Sequence, residues 1–314
     1  MKQGVQHLIV VYLKGVAMGA ADVVPGVSGG TIALITHIYE RLIRAVDTLS
    51  LRLILQLFSN KRQEAWTKLD GSFLIALTLG IGTSILLLTR GISWLLENHP
   101  VPLWAFFFGL ILGSAFILKN TISHWNTSTL LALLVGAVIA FGVGLISPST
   151  GSENLVYLFF CGMLVVIAMI LPGISGAFIL ILLGAYSTAL ETVEQLKAFA
   201  LEGILVFVVM ASGGLVGLKA FSKLLRWLFS NYKNIVLAAM TGFLLGSLYK
   251  VWPWKKVVEY HTNSQGEETP LSTIAVLPNT ADPSAQVVFA GVAFMLGVIL
   301  LFVLERLSKK QSYV

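Results

Sequence analysis

Two short motifs hold the residues of this sequence that are best suited to binding chemistry. The first motif reads PGVSGGT over residues 25–31, and the second motif reads PGISGA over residues 172–177. Each motif interrupts an apolar segment, and matched interruptions in the two halves of a hydrophobic chain indicate the binding site of a transporter. Proline lacks an N–H group and glycine permits a tight reversal, so we expect each motif to break the chain and start a new helix. The expected breaks lie at Pro25, Gly26, Pro172 and Gly173.

Backbone amides at the start of a helix favour an anion, because that end carries roughly half a positive charge. Phosphate groups are frequent ligands of such amides. The sequence therefore predicts a phosphate site at the two motifs, with hydroxyl groups adding further donors. The predicted site residues are Ser28, Gly29, Gly30, Thr31, Ser175, Gly176 and Ala177. The alternative is that glycine and serine here only allow two helices to cross closely.

Two acidic residues flank the first motif, and ionisable residues at membrane depth are candidates for function. Asp22 and Glu40 have Met169 and Ser187 at the corresponding positions of the second half. An acid beside an anion site suggests proton coupling, since protonation would relieve its repulsion with phosphate. The alternative is helix capping or an interfacial ion pair with Arg41 or Arg44, which we favour for Glu40.

Two cations occupy corresponding positions in the two halves of the chain. Arg90 and Lys223 are related by a shift of 133 positions. Such a pair could guide an anionic headgroup inward from either side of a membrane. Alternatively, both side chains extend toward the membrane interface without contacting a substrate.

The composition defines the class of protein that must position these residues. The chain has 314 residues, of which 56% are hydrophobic and 11% are charged, whereas soluble domains carry about 25% charged residues. It is therefore predicted to be an integral membrane protein, and the net charge of +6 is assigned to loops and not to nucleic-acid binding. The single cysteine, Cys161, excludes an internal disulfide, and the scattered histidines predict no metal or cofactor. We expect no signal-peptide cleavage, so residues 1–314 form the mature chain.

Helices of two kinds are expected along the chain. Residues 4–43 and 155–190 are each read as a re-entrant hairpin of two half-helices, because no arm has the ~20 apolar residues of a full span; a kinked span is the alternative. Residues 44–70 form an amphipathic segment, with a surface helix expected over 42–58. A polar external loop covers 250–285. Six spans are predicted at Phe73–Leu96, Leu103–Leu118, Leu130–Ile146, Ile204–Leu218, Ile235–Tyr249 and Val287–Leu304.

The two halves of the chain, residues 1–150 and 151–314, form an internal repeat. A shift of 147 places the first motif on the second, and a shift of 133 relates the next two spans. In the last spans the glycine pattern matches Gly136 and Gly142 with Gly291 and Gly297. Three spans per half is an odd number, so the second half must be inverted. The predicted fold is an all-α inverted repeat, each half containing a re-entrant helical hairpin and three transmembrane helices.

Basic residues predict how the chain is oriented. With both termini in the cytoplasm, most lysine and arginine residues fall on the inner side, as the positive-inside rule requires. The two hairpins would then enter the membrane from opposite sides, and their tips would meet near its midplane. The sequence indicates no oligomeric state.

The sequence around the first motif, KGVAMGAADVVPGVSGGT over residues 14–31, closely resembles the bacterial polyprenyl-phosphate (undecaprenyl-phosphate) transporter family. The segment AMILPGISGA over residues 168–177 resembles the second loop of that family. The resemblance implies a protein of the bacterial cytoplasmic membrane that returns undecaprenyl phosphate from the outer to the inner leaflet. A proton or sodium gradient is a candidate driving force, and membrane lipid surrounds the protein.

Two alternatives remain open at this stage. Membrane-embedded undecaprenyl-pyrophosphate phosphatases also have inverted repeats and a loop containing Pro-Gly-x-Ser, but an arginine follows their serine. Gly29 and Gly176 stand at that position here, and a paired-glutamate motif is missing, so we predict no enzyme activity. A small-anion secondary transporter with the same hairpins is the other alternative.

Overall fold

The computed structural model describes residues 2–23, 27–146, 149–262, 268–279 and 285–312. Pro25 and Gly26, two of the predicted breaks, lie outside these residues. In the first half of the chain the helices are α1 (Lys2–Asp22), α2 (Gly29–Ile35), α3 (Tyr39–Thr48), α4 (Leu51–Gln56), α5 (Arg62–Lys68), α6 (Gly71–Asn98), α7 (Pro100–Thr121) and α8 (Thr127–Leu145). In the second half the elements are α9 (Leu155–Ile170), α10 (Gly176–Leu182), α11 (Tyr186–Lys197), α12 (Leu201–Ser247), β1 (Lys255–Thr262), β2 (Glu268–Ala275) and α13 (Val287–Ser312).

Five of the described helices, α6, α7, α8, α12 and α13, are long and apolar enough to cross a membrane. The bent pair α10 and α11 raises the number to six if the pair is one span. A span needs about 20 apolar residues at 1.5 Å each. The chain is therefore a helical, multi-pass membrane protein, as its composition predicted.

Helix α12 joins two spans that the sequence analysis separated. It has 47 residues, and Tyr232 within it has non-helical backbone angles (φ −137°, ψ 41°). The predicted spans Ile204–Leu218 and Ile235–Tyr249 lie on either side of this residue. At 1.5 Å per residue the helix is about 70 Å long, well beyond the ~30 Å of a bilayer core. Tyr232 thus divides α12 into a part of 31 residues before it and a part of 15 residues after it, and the first part alone has the ~20 residues of a full span.

The predicted amphipathic helix over residues 42–58 is wrong as a single element. Helix α3 ends at Thr48, and Leu49 then adopts extended angles (φ −54°, ψ 120°). A second helix, α4, begins at Leu51, where the Ser50 hydroxyl accepts a hydrogen bond from the amide of Leu53. The predicted helix is therefore divided between two short helices, α3 and α4, because non-helical backbone at Leu49 and a serine cap interrupt it; α5 follows at Arg62–Lys68.

The segment predicted as a polar loop, residues 250–285, contains two strands. Strands β1 and β2 pair antiparallel, with Lys255 opposite Ala275 and Lys256 opposite Ile274. Valine, tyrosine and threonine residues in β1 favour extended backbone, which explains the strand.

Each second arm of the predicted hairpins is interrupted after seven helical residues. Helix α2 ends before His37 (φ 59°) and α10 ends before Gly184 (φ 62°). The amides of Ile38 and Ala185 then bond to carbonyls five residues earlier, at 3.0 and 2.9 Å, which is a Schellman-type helix end. His37 and Gly184 are 147 positions apart, so the break repeats in both halves. Helices α10 and α11 meet at a bend of 113°.

The chain divides into two compact units, and each unit takes segments from both sequence halves. Unit 1 is Met1–Arg90 with Thr150–Val236, and unit 2 is Gly91–Ser149 with Leu237–Val314. The predicted halves, residues 1–150 and 151–314, group the segments of the chain differently from these units. The division into halves stays a prediction.

In unit 1 the same helix crossing occurs twice. A Cβ atom on Gly15 of α1 would lie 2.3 Å from the carbonyl oxygen of Leu77 in α6. A Cβ atom on Gly162 of α9 would lie 2.1 Å from the carbonyl oxygen of Met210 in α12. These glycines let the backbones touch, and the pairs are related by the shifts of 147 and 133 that the sequence predicted. The inversion of one half relative to the other stays a prediction.

In unit 2 the crossings correct the predicted alignment of the last helices. A Cβ atom on Gly136 of α8 would meet the carbonyl oxygen of Ala239 at 2.3 Å, and one on Gly297 of α13 would meet that of Phe106 at 2.1 Å. Phe106 and Ala239 are 133 positions apart, so Gly136 corresponds to Gly297. The match of Gly136 with Gly291 is wrong, because a repeated glycine pattern fits at two registers while only one gives the same crossing.

Candidate functional site

The structure brings the two motifs into direct contact inside unit 1. The Ser28 hydroxyl donates to the carbonyl oxygen of Met169 at 3.2 Å, and the amide of Gly173 donates to the Thr31 hydroxyl at 3.2 Å. Ser28, Thr31 and Ser175 are all buried. The first motif therefore contacts the second motif through Thr31 and Gly173, and the end of the preceding helix through Ser28 and Met169.

The break at the second motif is observed. Helix α9 ends at Ile170 and α10 starts at Gly176, with Pro172 and Gly173 buried between them. Gly173 has φ 81°, a left-handed conformation that glycine adopts without steric cost. The helix therefore breaks here, as predicted, and the re-entrant hairpin stays a prediction.

Tyr39 supports this contact, although the sequence analysis did not select it as a site residue. Its hydroxyl donates to the carbonyl oxygen of Ile170 at 3.0 Å, and its buried ring lies 5.9 Å from that of Phe229. The repeat places Tyr186 at the corresponding position, but that side chain is 40% exposed. A tyrosine at matched positions was a usable signal; only the packing shows which copy is buried.

At the first motif the predicted anion donors are already satisfied. The amide of Gly29 donates to the Asp22 carboxylate at 2.6 Å, and the amide of Gly30 donates to the Ser28 hydroxyl at 3.1 Å. The amide of Thr31 bonds to the carbonyl oxygen of Ser28 at 2.9 Å. A carboxylate at a helix N-terminus is favourable because of the helix dipole. In this structure an acid of the chain itself occupies the position predicted for phosphate.

The second motif lacks such a cap. Ser175 has the extended backbone of an N-cap residue but makes no side-chain capping bond. Met169 stands at the position of Asp22, with its side chain beside Gly176. Within the part of the chain that the structure describes, the amides of Gly176 and Ala177 have no hydrogen bond. Ala177 is exposed, so the second motif presents donors that the first does not.

Helix α1 supplies charges to both ends of α2. Asp22 contacts the first turn, and the Lys14 ammonium donates to the carbonyl oxygen of Thr36 at 2.8 Å, just after the last turn. An anion at the N-terminus and a cation at the C-terminus both interact favourably with the helix dipole. The second hairpin has Met169 and Cys161 at these positions, so it lacks both charges.

Three predicted residues lie elsewhere. Glu40 forms an ion pair with Lys233 at 2.6 Å on an exposed surface, as the ion-pair alternative proposed, though with a different partner. Arg90 and Lys223 are exposed, and among the described residues no hydrogen bond or ion pair connects either of them to the motifs.

A second carboxylate on α3 is more strongly held, and the sequence analysis missed it. Asp47 is 7% exposed and contacts Arg226 at 2.8 Å and Lys219 at 3.8 Å. Glu40 and Asp47 are seven residues apart, as are Lys219, Arg226 and Lys233 on α12. This spacing was a readable signal of two helices joined by ion pairs.

The described residues contain no group of histidine, cysteine and acidic side chains that could hold a metal ion. The fold and the site define a multi-pass membrane protein in which the two motif regions meet at buried hydroxyl groups. The chain belongs to the undecaprenyl phosphate translocase-like family, whose model matches residues 18–269.

Two curated relatives carry the same kind of name. A polyprenyl-phosphate transporter of Vibrio cholerae is 41% identical over 95% of this chain and 96% of its own length. A polyprenyl-phosphate transporter of Staphylococcus aureus is 32% identical over 77% of this chain and 85% of its own length. No solved structure matches the chain.

Proposed function

We propose that this protein transports undecaprenyl phosphate from the outer to the inner leaflet of the bacterial cytoplasmic membrane, so that the carrier lipid is recycled. The family and the names of both relatives support the substrate class. The observation that carries the proposal is the contact between the two motifs through Ser28, Thr31 and Gly173. Broken helices that meet in this way are the usual setting of transporter substrate sites.

The proposed phosphate site uses the hydroxyl groups and amides of both motifs in different ways. The amides of Gly176 and Ala177, with the Ser175 hydroxyl, are available for the first contacts with phosphate. The amide of Gly29 is held by Asp22 in this structure. It could bind phosphate only after the carboxylate leaves, and protonation of Asp22 would favour that release.

Transport in proteoliposomes tests the site. Purified protein is reconstituted with undecaprenyl phosphate in one leaflet, and the lipid phosphate in the other leaflet is measured over time. We expect Ser28→Ala with Ser175→Ala to slow exchange at least ~tenfold, about 1.4 kcal/mol of lost stabilisation. The matched control is Ser230→Ala, which removes an exposed hydroxyl of α12. Unchanged exchange in the double variant would remove the site assignment.

The same vesicles test the alternatives. Release of inorganic phosphate from undecaprenyl pyrophosphate would support a hydrolytic enzyme. Exchange of inorganic phosphate without lipid exchange would support a small-anion transporter.

Asp22 gives a separate test of proton coupling. The exchange rates of the unmodified protein and of Asp22→Asn should depend differently on pH, because the amide cannot ionise while the substrate phosphate titrates in both proteins. An identical pH profile in both proteins would end the proposal for Asp22 but not for the phosphate site. Replacing the proton gradient by a sodium gradient distinguishes the two candidate driving ions.

The proposed orientation places both termini in the cytoplasm and strands β1 and β2 outside. Leu55 and Lys256 are both exposed, and single cysteines at these positions in a Cys161→Ala background report their sides. We expect an impermeant thiol reagent added outside intact cells to label position 256 only. Labelling of both positions would contradict this orientation.

A further inference from the structure

Unit 2 contains an apolar cavity of about 380 Å³ between α7, the end of α12 and strand β2. Its lining includes Phe108, Tyr249, Trp252, Ala275, Val276 and Leu277. We propose that this cavity binds the isoprenoid chain of a polyprenyl phosphate while Lys255 beside it binds the phosphate. The inference rests on the proposed function, because that proposal names the lipid; the residues of the cavity take no part in the motif site.

Aromatic contacts define the wall of the cavity. The Trp252 ring lies 5.4 Å from that of Phe108 and 5.6 Å from that of Trp254. The Trp252 indole N–H donates to the carbonyl oxygen of Val276 at 2.9 Å. Since this bond uses the only donor of the indole, the wall presents carbon atoms to the cavity. The volume lies within the ~300–1,000 Å³ of ligand pockets.

A cation lies next to the cavity. Lys255 is opposite Ala275 in the strand register, and directly opposite residues share one face of a sheet. The Lys255 ammonium lies 3.5 Å from the centre of the Trp104 ring. Trp104 precedes Phe108 by one turn of α7, so both side chains lie on one face of that helix.

The surroundings of Lys255 favour an anionic ligand. Burial, and then the nearby charge of Lys250, lowers the pKa of Lys255 to about 7. Among the described side chains, Lys255 has no carboxylate within ion-pair distance. A bound phosphate would supply the missing negative charge and hold the lysine protonated.

The cavity and the lysine together select one class of ligand. A neutral isoprenoid alcohol needs the cavity but not the lysine, and free phosphate has no use for an apolar wall. An anionic lipid uses both, and polyprenyl phosphate is the anionic lipid that the proposed function names.

The test for the chain measures binding to the purified full-length protein in detergent, with undecaprenyl phosphate, undecaprenol and inorganic phosphate as probes. Ala275→Trp fills the cavity and should weaken binding of both lipids at least ~tenfold. Ile274→Trp is the matched control, because Ile274 lies one residue away on the other face of β2 and is partly exposed. Equal affinities in these two variants would overturn the cavity assignment.

The test for the headgroup uses the neighbouring lysines. Lys255→Gln should weaken undecaprenyl phosphate several-fold and leave undecaprenol unchanged, whereas Lys256→Gln should change neither. The loss of affinity for undecaprenyl phosphate in Lys255→Gln should be larger at pH 6 than at pH 8, because Lys255 is charged below its pKa of about 7. In the unmodified protein the affinity for undecaprenyl phosphate should fall as the pH rises from 6 to 8. Loss of undecaprenol binding in Lys255→Gln would instead assign the lysine to packing.

The proteoliposome assay separates this inference from the proposed function. If the protein exchanges undecaprenyl phosphate while Ala275→Trp binds it like Ile274→Trp, the cavity inference is wrong and the function stands. If the protein exchanges no lipid but Ala275→Trp still weakens binding, the function is wrong and the cavity remains a lipid site.

Discussion

The two predicted hairpins of unit 1 have matching second helices and different chemistry. Helices α2 and α10 both have seven residues and end at matched left-handed residues. The first is wholly buried, and charged groups of α1 contact both of its ends. The second has apolar residues in place of those charges and only two buried residues. Symmetry of the backbone therefore does not imply equal roles: the first hairpin is internally satisfied, and the second has donors available for a ligand.

Helices α3 and α11, which follow the first and the second hairpin, differ in the ion pairs that hold them. Helix α3 is joined to α12 by Glu40 with Lys233 and by Asp47 with Arg226. The ion pair of α11 connects Lys197 and Glu194 within the helix itself and is exposed. We therefore expect the first hairpin to stay fixed and the second to rearrange during transport.

Giving the second motif the cap of the first should have the largest effect. In Met169→Asp a carboxylate can accept from the amide of Gly176, as Asp22 does from Gly29. It would compete with phosphate, so we expect lipid exchange in proteoliposomes to fall at least ~tenfold. Met169→Leu conserves volume and should retain most of the exchange. Equal rates in the two variants would show that the difference between the caps has no functional role.

Breaking the buried ion pair of α3 should have an intermediate effect, on stability. Asp47→Asn leaves Arg226 and Lys219 without their carboxylate, and we expect the free energy of unfolding to fall by about 2 kcal/mol, less than for fully buried partners. Unfolding by titration with SDS measures it. Glu40→Gln removes an exposed pair and should cost about 1 kcal/mol or less. A larger loss for Glu40 than for Asp47 would reverse the assignment of the anchoring residue.

Removing the cation at the end of α2 should have the smallest effect. Lys14→Met loses one charged hydrogen bond to the carbonyl oxygen of Thr36, and we expect a loss of about 1 kcal/mol in the same titration. Lys197→Met removes the exposed pair of α11 and should cost about 0.5 kcal/mol or less. If the two variants lose the same free energy of unfolding, the charges at the ends of α2 do not make the first hairpin more firmly held than the second.

Periodic features of the fold were predictable from the sequence. The positions of the long helices follow from apolar length, and the crossing of α1 on α6 matches that of α9 on α12, as the shifts of 147 and 133 indicated. The break at Gly173 follows from the chemistry of proline and glycine.

Features that depend on packing were not predictable. Nothing in the local sequence indicates that His37 is left-handed, so the end of α2 was missed. Gly184, the corresponding residue after α10, was a readable signal because glycine adopts this conformation without steric cost. Asp22 was identified as a functional candidate, but only the structure shows its carboxylate at the amide of Gly29. The register of α13 was misplaced because its glycines recur at a six-residue spacing that also occurs in α8.

A structure with bound undecaprenyl phosphate tests the central claim most directly. The account predicts phosphate oxygens within hydrogen-bond distance of the Ser175 hydroxyl and of the amides of Gly176 and Ala177. If these donors stay unoccupied in a structure saturated with undecaprenyl phosphate, whether or not a phosphate lies beside Lys255, the central claim is contradicted.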